Sequence, residues 1–189
     1  MYKTLLALSA LLLFSFSICG QSKSNETISH QIRRAHAEKS FTLSFDASAN
    51  MSKLMGVSEN FSDNDANAAG VRAMNFAVGF FYQGQSLAKA PDRIMLTFWV
   101  LTKKPRFAEN HHWTVFTGQE TLELGEARYA AKARNDMEYL NFEISRADLA
   151  KIARESSIRF RLGEFEFSFT RQQLKNLADL LILSDPSAQ

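Results

Sequence analysis

A single cysteine, Cys19, is all the thiol chemistry this chain of 189 residues carries. It leaves no pair for an internal disulfide, so a packed core has to supply the stability. An excess of charge of one sign is missing too: 22 Lys and Arg stand against 20 Asp and Glu. That balance gives no electrostatic reason to expect nucleic acid or an anionic membrane surface as partner. Beyond Ile18 no segment stays free of charge for the roughly 20 residues that a membrane helix needs. The spacings that mark common catalytic centres are also absent. No Gly-x-Ser-x-Gly elbow and no His-Glu-x-x-His helix occurs, and no motif asks for a cofactor.

What is present begins with an export signal. Lys3 is followed by an apolar run from Leu5 to Ile18 and then by Cys19-Gly20-Gln21-Ser22, the layout of a secretory signal peptide over residues 1–20. Two fates of Cys19 compete. Cleavage after Gly20 removes it; alternatively, in a bacterial chain, Cys19 resembles the lipidated residue of exported lipoproteins. Phe16-Ser17-Ile18 departs from that family's pattern, which places a small residue just before the cysteine. Either fate implies an exported protein, periplasmic or extracellular if bacterial, and the second anchors it through Cys19. A polar tether is expected over 21–40, a single β-rich domain over 41–183 and a loose tail over 184–189.

Within the domain, Phe41 to Asp46 alternates as a half-buried strand does. Residues 47–70, rich in Ala, Ser, Asn and Asp, read as a long loop or short helical turns. From Met74 onward the pattern is strand after strand. Met74, Phe76, Val78, Phe80 and Tyr82 share one face, and Ile94 to Leu101 is apolar on both faces, as suits a central strand. Turn register tests the rest. A turn at Gly118-Gln119 sets Val115 against Leu122 and Trp113 against Leu124. One at Asn135-Asp136 sets Ala131 against Leu140 and Tyr129 against Phe142. A third at Gly163-Glu164 pairs Leu162 with Phe165, Phe160 with Phe167 and Ile158 with Phe169. Gly125-Glu126 is either a fourth turn or a bulge. The 16 Phe are expected in an aromatic core.

A strand, cap and helix unit occurs twice. Phe142 to Ala153 aligns without gaps on Phe167 to Ala178, with Ser145 and Thr170 as caps and Asp148 and Gln173 three positions on. The expected fold is therefore mainly β, or α+β: an antiparallel meander, as a sandwich or curved sheet, with one short helix and a C-terminal helix packed on it. On that last helix Leu174, Leu177, Leu180 and Leu181 form the apolar stripe.

Few residues are candidates for chemistry. His111 and His112 are adjacent at a strand entrance, where an extended backbone points them to opposite faces, so only one would serve a given site. Asp63 and Asp65 begin an alternation of oxygen ligands like that of a calcium loop, yet Ala68 replaces the glycine and Met74 stands at the bidentate glutamate position. An EF-hand is excluded; a looser calcium site is not. Arg128, Lys132 and Arg134, and Arg159 with Arg161, form basic strand faces. No catalytic set and no defined ligand site emerges. The preferred reading is an exported, non-enzymatic binding module whose partner is a protein or an envelope component. The alternative is an exported hydrolase without a recognisable motif, drawing on His111 or His112 and carboxylates of residues 47–70.

Overall fold

The computed structural model describes residues 37, 39–56, 59–132 and 136–186. The expected signal peptide with Cys19, and most of the tether, lie outside the described residues. The fold is mainly β with added helices: two antiparallel sheets and, among the described residues, three helices.

Among the described residues eleven strands are arranged as five hairpins and one short outlier. In chain order they are β1 (Phe41–Asp46), β2 (Met51–Gly56), β3 (Glu59–Asn60), β4 (Ala73–Gln83), β5 (Arg93–Leu101), β6 (His112–Phe116), β7 (Thr121–Glu126), β8 (Arg128–Lys132), β9 (Met137–Ser145), β10 (Arg159–Leu162) and β11 (Phe165–Ser168). The helices are α1 (Asp63–Ala68), α2 (Arg146–Ala153) and α3 (Arg171–Leu183). The larger sheet runs β1-β2-β4-β5-β9-β8, with β3 also on β4, and the smaller runs β11-β10-β6-β7. A simple meander would stay in one sheet. Here the chain crosses between sheets after β5, after β7 and after β9.

The crossing after β7 has a local cause. Trp113 faces Gly125 but Thr114 faces Glu123, so Leu124 is an extra residue and the strand bulges. Gly125 takes φ 86° there, a backbone state that suits glycine. A single residue, Ala127, then separates β7 from β8. The bulge alternative at Gly125 is the one realised, and it bends one strand from one sheet into the other.

The Gly163 hairpin has the expected register: Leu162 faces Phe165 and Phe160 faces Phe167, and Phe169 N–H donates to Ile158 O over 3.0 Å. Gly163 has φ 60°. Val115 faces Leu122 as expected, while the bulge moves Trp113 from Leu124 to Gly125. In the β8–β9 hairpin Tyr129 faces Leu140 and Ala131 faces Glu138, two residues from the expected pairing. A shift of two preserves the alternation, so Tyr129 still points to the core side.

Of the two readings of residues 47–70, the long loop is not found, and the short helical turn is realised in α1 beside two unexpected strands, β2 and β3. Phe61 in this segment is the hub of the aromatic core, with ring centroids 5.5 to 6.4 Å from Phe76, Phe98, Phe160, Phe167 and Phe169. Edge-to-face pairs of this kind contribute about 0.5–1.5 kcal/mol each beyond area burial. Phe98 of β5 lies 5.4 Å from Trp113 and 5.8 Å from Phe160, which are on the smaller sheet, so the sheets pack face to face. On β5 the side bearing Ile94, Leu96, Phe98 and Val100 is fully buried, whereas Met95, Trp99 and Leu101 on the other side are half-buried.

Both predicted caps form. Asp148 N–H donates to Ser145 Oγ over 3.0 Å, and Thr170 with Gln173 makes a reciprocal capping box. Each such cap stabilises its helix by about 1 kcal/mol. α3 buries Leu174, Leu177, Leu180 and Leu183, with Leu181 half-buried. The two copies of the repeated unit start in different sheets, yet α2 and α3 pack together. Arg146 joins them, donating from Nη2 to Leu181 O and from Nε to Ser184 Oγ, 3.2 Å each.

Candidate functional site

The two adjacent histidines sit at the bent corner between the sheets. His112 is the first residue of β6 and faces Glu126 across the ladder. Its Nε2 lies 2.8 Å from Glu123 Oε2 and its Nδ1 lies 3.2 Å from Glu126 Oε1. Carboxylates only accept, so an imidazole bonded to both must donate from both nitrogens, which is the imidazolium. The Glu123 bond, and then Glu126, accordingly raise the His112 pKa above its usual value against the opposing effect of partial burial. Glu123 is held below the usual carboxylate range by the bonds from His112 and Thr114 Oγ1. A general base needs a free lone pair. His112 offers none while these two bonds are made.

His111 lies just before the strand and turns the other way. Its Nδ1 is 3.1 Å from Phe107 O, and its ring stacks on Tyr129 with centroids 5.6 Å apart. One carboxylate nevertheless spans the pair: Glu126 reaches His112 with one oxygen and lies 3.7 Å from His111 Nε2 with the other. Extended-strand geometry does not apply to His111, since β6 begins one residue later.

Behind Tyr129 is a buried carboxylate that the sequence did not single out. Glu138, only 1 % exposed, accepts bonds from Arg106 N–H (3.0 and 2.9 Å to its two oxygens), Phe107 N–H (3.0 Å) and Tyr129 O–H (2.9 Å). Burial, and then the Glu138 charge and hydrogen bond, push the Tyr129 pKa up to about 12. Glu138 therefore works as an anchor. It fixes the start of the β5–β6 connection against the larger sheet, and a cavity of about 250 Å³ opens beside it. The only sequence signal for it was a Glu on the core side of β9, in phase with Leu140, Phe142 and Ile144.

Asp63 and Asp65 lie in α1 rather than in an open loop. Two positions on a helix diverge by about 200°. Asp65 accepts a bond from Ser168 N–H over 3.2 Å, tying α1 to β11. No group of three or more His, Cys, Asp or Glu among the described residues is placed to hold a metal ion. Cys19 lies outside the described residues. Of the basic strand faces, Arg128 pairs with Glu143 at 2.9 Å, and Arg159 is 3.9 Å from Glu166.

The remaining feature is an edge. Among the described residues β1 pairs only with β2, in unbroken register from Phe41 opposite Gly56 to Asp46 opposite Met51. Leu43 and Phe45 on it are 57 % and 39 % exposed. From Phe41 to Phe45 it carries no charge, no proline and no bulge, which are the usual guards of an edge. The other strands that end the two sheets are guarded: β8 by Arg128, β7 by Glu123 and Glu126, β11 by Glu166 and by α1 at Ser168. Compared with known proteins, the chain matches no protein-family model, no curated protein and no solved structure.

Proposed function

We propose that this chain is an exported, non-enzymatic binding module that takes an extended segment of a partner polypeptide along β1. The unguarded edge carries the reading. A strand added there would pair its backbone with the free groups of β1, and alternate apolar side chains would cover Leu43 and Phe45. Main-chain pairing gives affinity and the two apolar positions give selectivity. The signal layout of residues 1–20 supports an exported setting. The His112 geometry favours binding over hydrolysis, because both ring nitrogens are engaged by carboxylates.

The test is purification of the mature protein from its native envelope, beside a Leu43→Pro, Phe45→Lys variant, since the ladder phase turns the Leu43 N–H away from β2. Both positions are exposed, so the core is spared, while a charge and a missing backbone donor spoil the edge. A stoichiometric polypeptide that accompanies the wild type and is lost from the variant is the expected result. A wild type that emerges alone, or a variant that keeps the polypeptide, overturns the proposal.

A further inference from the structure

A net charge near zero hides a local concentration of cations. Between the turn after α1 and the β5–β6 connection lies an open groove of about 550 Å³ whose lining includes Arg72, Lys103, Lys104 and Arg106 and no acidic residue. None of these four side chains forms an ion pair among the described residues. Four uncompensated cations around one groove is an arrangement that repels itself unless an anion or solvent screens it.

The cations stand on a fixed frame. Thr102, buried, donates from Oγ1 to Lys104 O over 2.6 Å and accepts from Lys104 N–H over 3.3 Å. Arg106 N–H and Phe107 N–H end in the Glu138 carboxylate, as described above. The segment from Thr102 to Phe107 is thus pinned at both ends, by Thr102 N–H donating to Asp136 O over 2.7 Å and by Glu138, with Lys103 and Lys104 exposed between the pins.

Arg106 is held more tightly still. Its Nε–H donates to Ala69 O over 3.0 Å, and its guanidinium lies 5.0 Å from the centre of the Phe165 ring. Gly70 makes the other side, with φ 68° and space such that an added Cβ would sit 3.4 Å from Arg106 Nη2. A side chain at position 70 would meet both an unfavourable backbone state and the guanidinium. Of the five N–H donors of the guanidinium, one is spent on Ala69. Arg106 lines the groove with its guanidinium held by Ala69 O and against the Phe165 ring before any ligand arrives, and a planar fork of this kind suits the oxygens of a phosphate.

Two carboxylates, Glu138 and Asp136, line the neighbouring cavity, which shares Thr102 and Lys103 with the groove. Glu138 directs its oxygens to backbone amides and Tyr129, and among the described residues neither forms an ion pair with Lys103.

We propose that this groove binds a phosphate group, with Arg106 as the preset fork and Lys103, Lys104 and Arg72 as the surrounding cations. The shared chemistry is a phosphate oxyanion, whether borne by a soluble phosphorylated compound or by a phospholipid headgroup.

The experiment uses the full mature chain and two probes. Inorganic phosphate is titrated at constant ionic strength while amide shifts are followed by NMR, and co-sedimentation is measured with phosphatidylcholine vesicles with and without phosphatidylglycerol. Phosphate should shift Gly70, Arg72 and Lys103 to Arg106 saturably. The Lys103→Gln, Lys104→Gln variant, altered only in exposed side chains, should weaken that binding roughly tenfold or more, since each lost charged hydrogen bond is worth about a factor of ten. Arg128→Gln, on another face, should leave it unchanged. Co-sedimentation that needs phosphatidylglycerol and is displaced by phosphate assigns the source to a lipid headgroup; phosphate binding without co-sedimentation assigns it to a soluble compound. The proposal is overturned if neither probe binds, or if the double variant binds as the wild type does.

Discussion

Replacing Glu138 tests whether its carboxylate is the anchor of the β5–β6 connection. Glu138→Leu keeps the volume close and removes the acceptor from three donors: the Arg106 and Phe107 amides and the Tyr129 hydroxyl. A buried donor left unpaired costs about 1–3 kcal/mol. Arg106 is exposed enough for water to reach its amide, which discounts one of the three, so a loss of about 3–5 kcal/mol is expected. That is a large share of the ~5–15 kcal/mol by which domains are usually stable. Glu138→Gln should cost less, about 2 kcal/mol, because one oxygen still accepts while the new amide meets the Arg106 N–H donor to donor. Equilibrium denaturation of both variants gives the numbers. A cycle with Tyr129→Phe sharpens them. In the wild type that change should cost about 1 kcal/mol. In the Glu138→Leu background it should cost nothing or restore stability, since it removes a hydroxyl that has lost its acceptor. A Glu138→Leu protein within about 1 kcal/mol of wild type, or an unchanged cost of Tyr129→Phe in both backgrounds, refutes the anchor.

Two further outcomes follow from the turn and the corner. Gly163→Val should lower thermal stability by several degrees, because valine would have to adopt φ 60° and its Cβ would fall 2.5 Å from Asn110 O; such strain is worth about 1–3 kcal/mol or more, and an unchanged melting temperature rejects the hairpin geometry. For His112 the sign is set by a folded pKa raised above 6.5. Its contribution is full below that unfolded value and is lost as pH rises through the folded one. The melting-temperature difference between wild type and His112→Gln should therefore shrink from about pH 6 to about pH 8, whereas a constant or growing difference excludes the imidazolium clamp.

Local rules carried the sequence reading furthest. The caps at Ser145 and Thr170, the Gly163 hairpin and the core face of β4 depend on neighbours in the chain, and each is found where alternation and cap chemistry place it. In residues 47–70 the short helical turn is found as α1, but the strands β2 and β3 went unread for the opposite reason. β2 alternates weakly, since Ser52 stands on its inner side and is buried by donating to Gly84 O at 2.6 Å, and Phe61 becomes a hub only through partners distant in sequence. The candidate sites show the same division. His111 and His112 were visible as a pair, but that Glu126 reaches both depends on the bulge at Gly125. Glu138, hidden as one polar residue in an apolar phase, and the Arg106 fork require the folded chain.

The bent run from β7 through Ala127 into β8 has a further consequence. Ala127, buried, fixes the corner by donating its N–H to His111 O over 3.2 Å. Because Thr121 to Lys132 belongs to both sheets without a connecting loop, there is no slack in which one sheet could open while the other stays intact. Loosening the smaller sheet pulls on the strand that ends the larger one, and the reverse holds equally. The two layers are thereby coupled through one continuous strand, so opening either is expected to weaken the edge of the other.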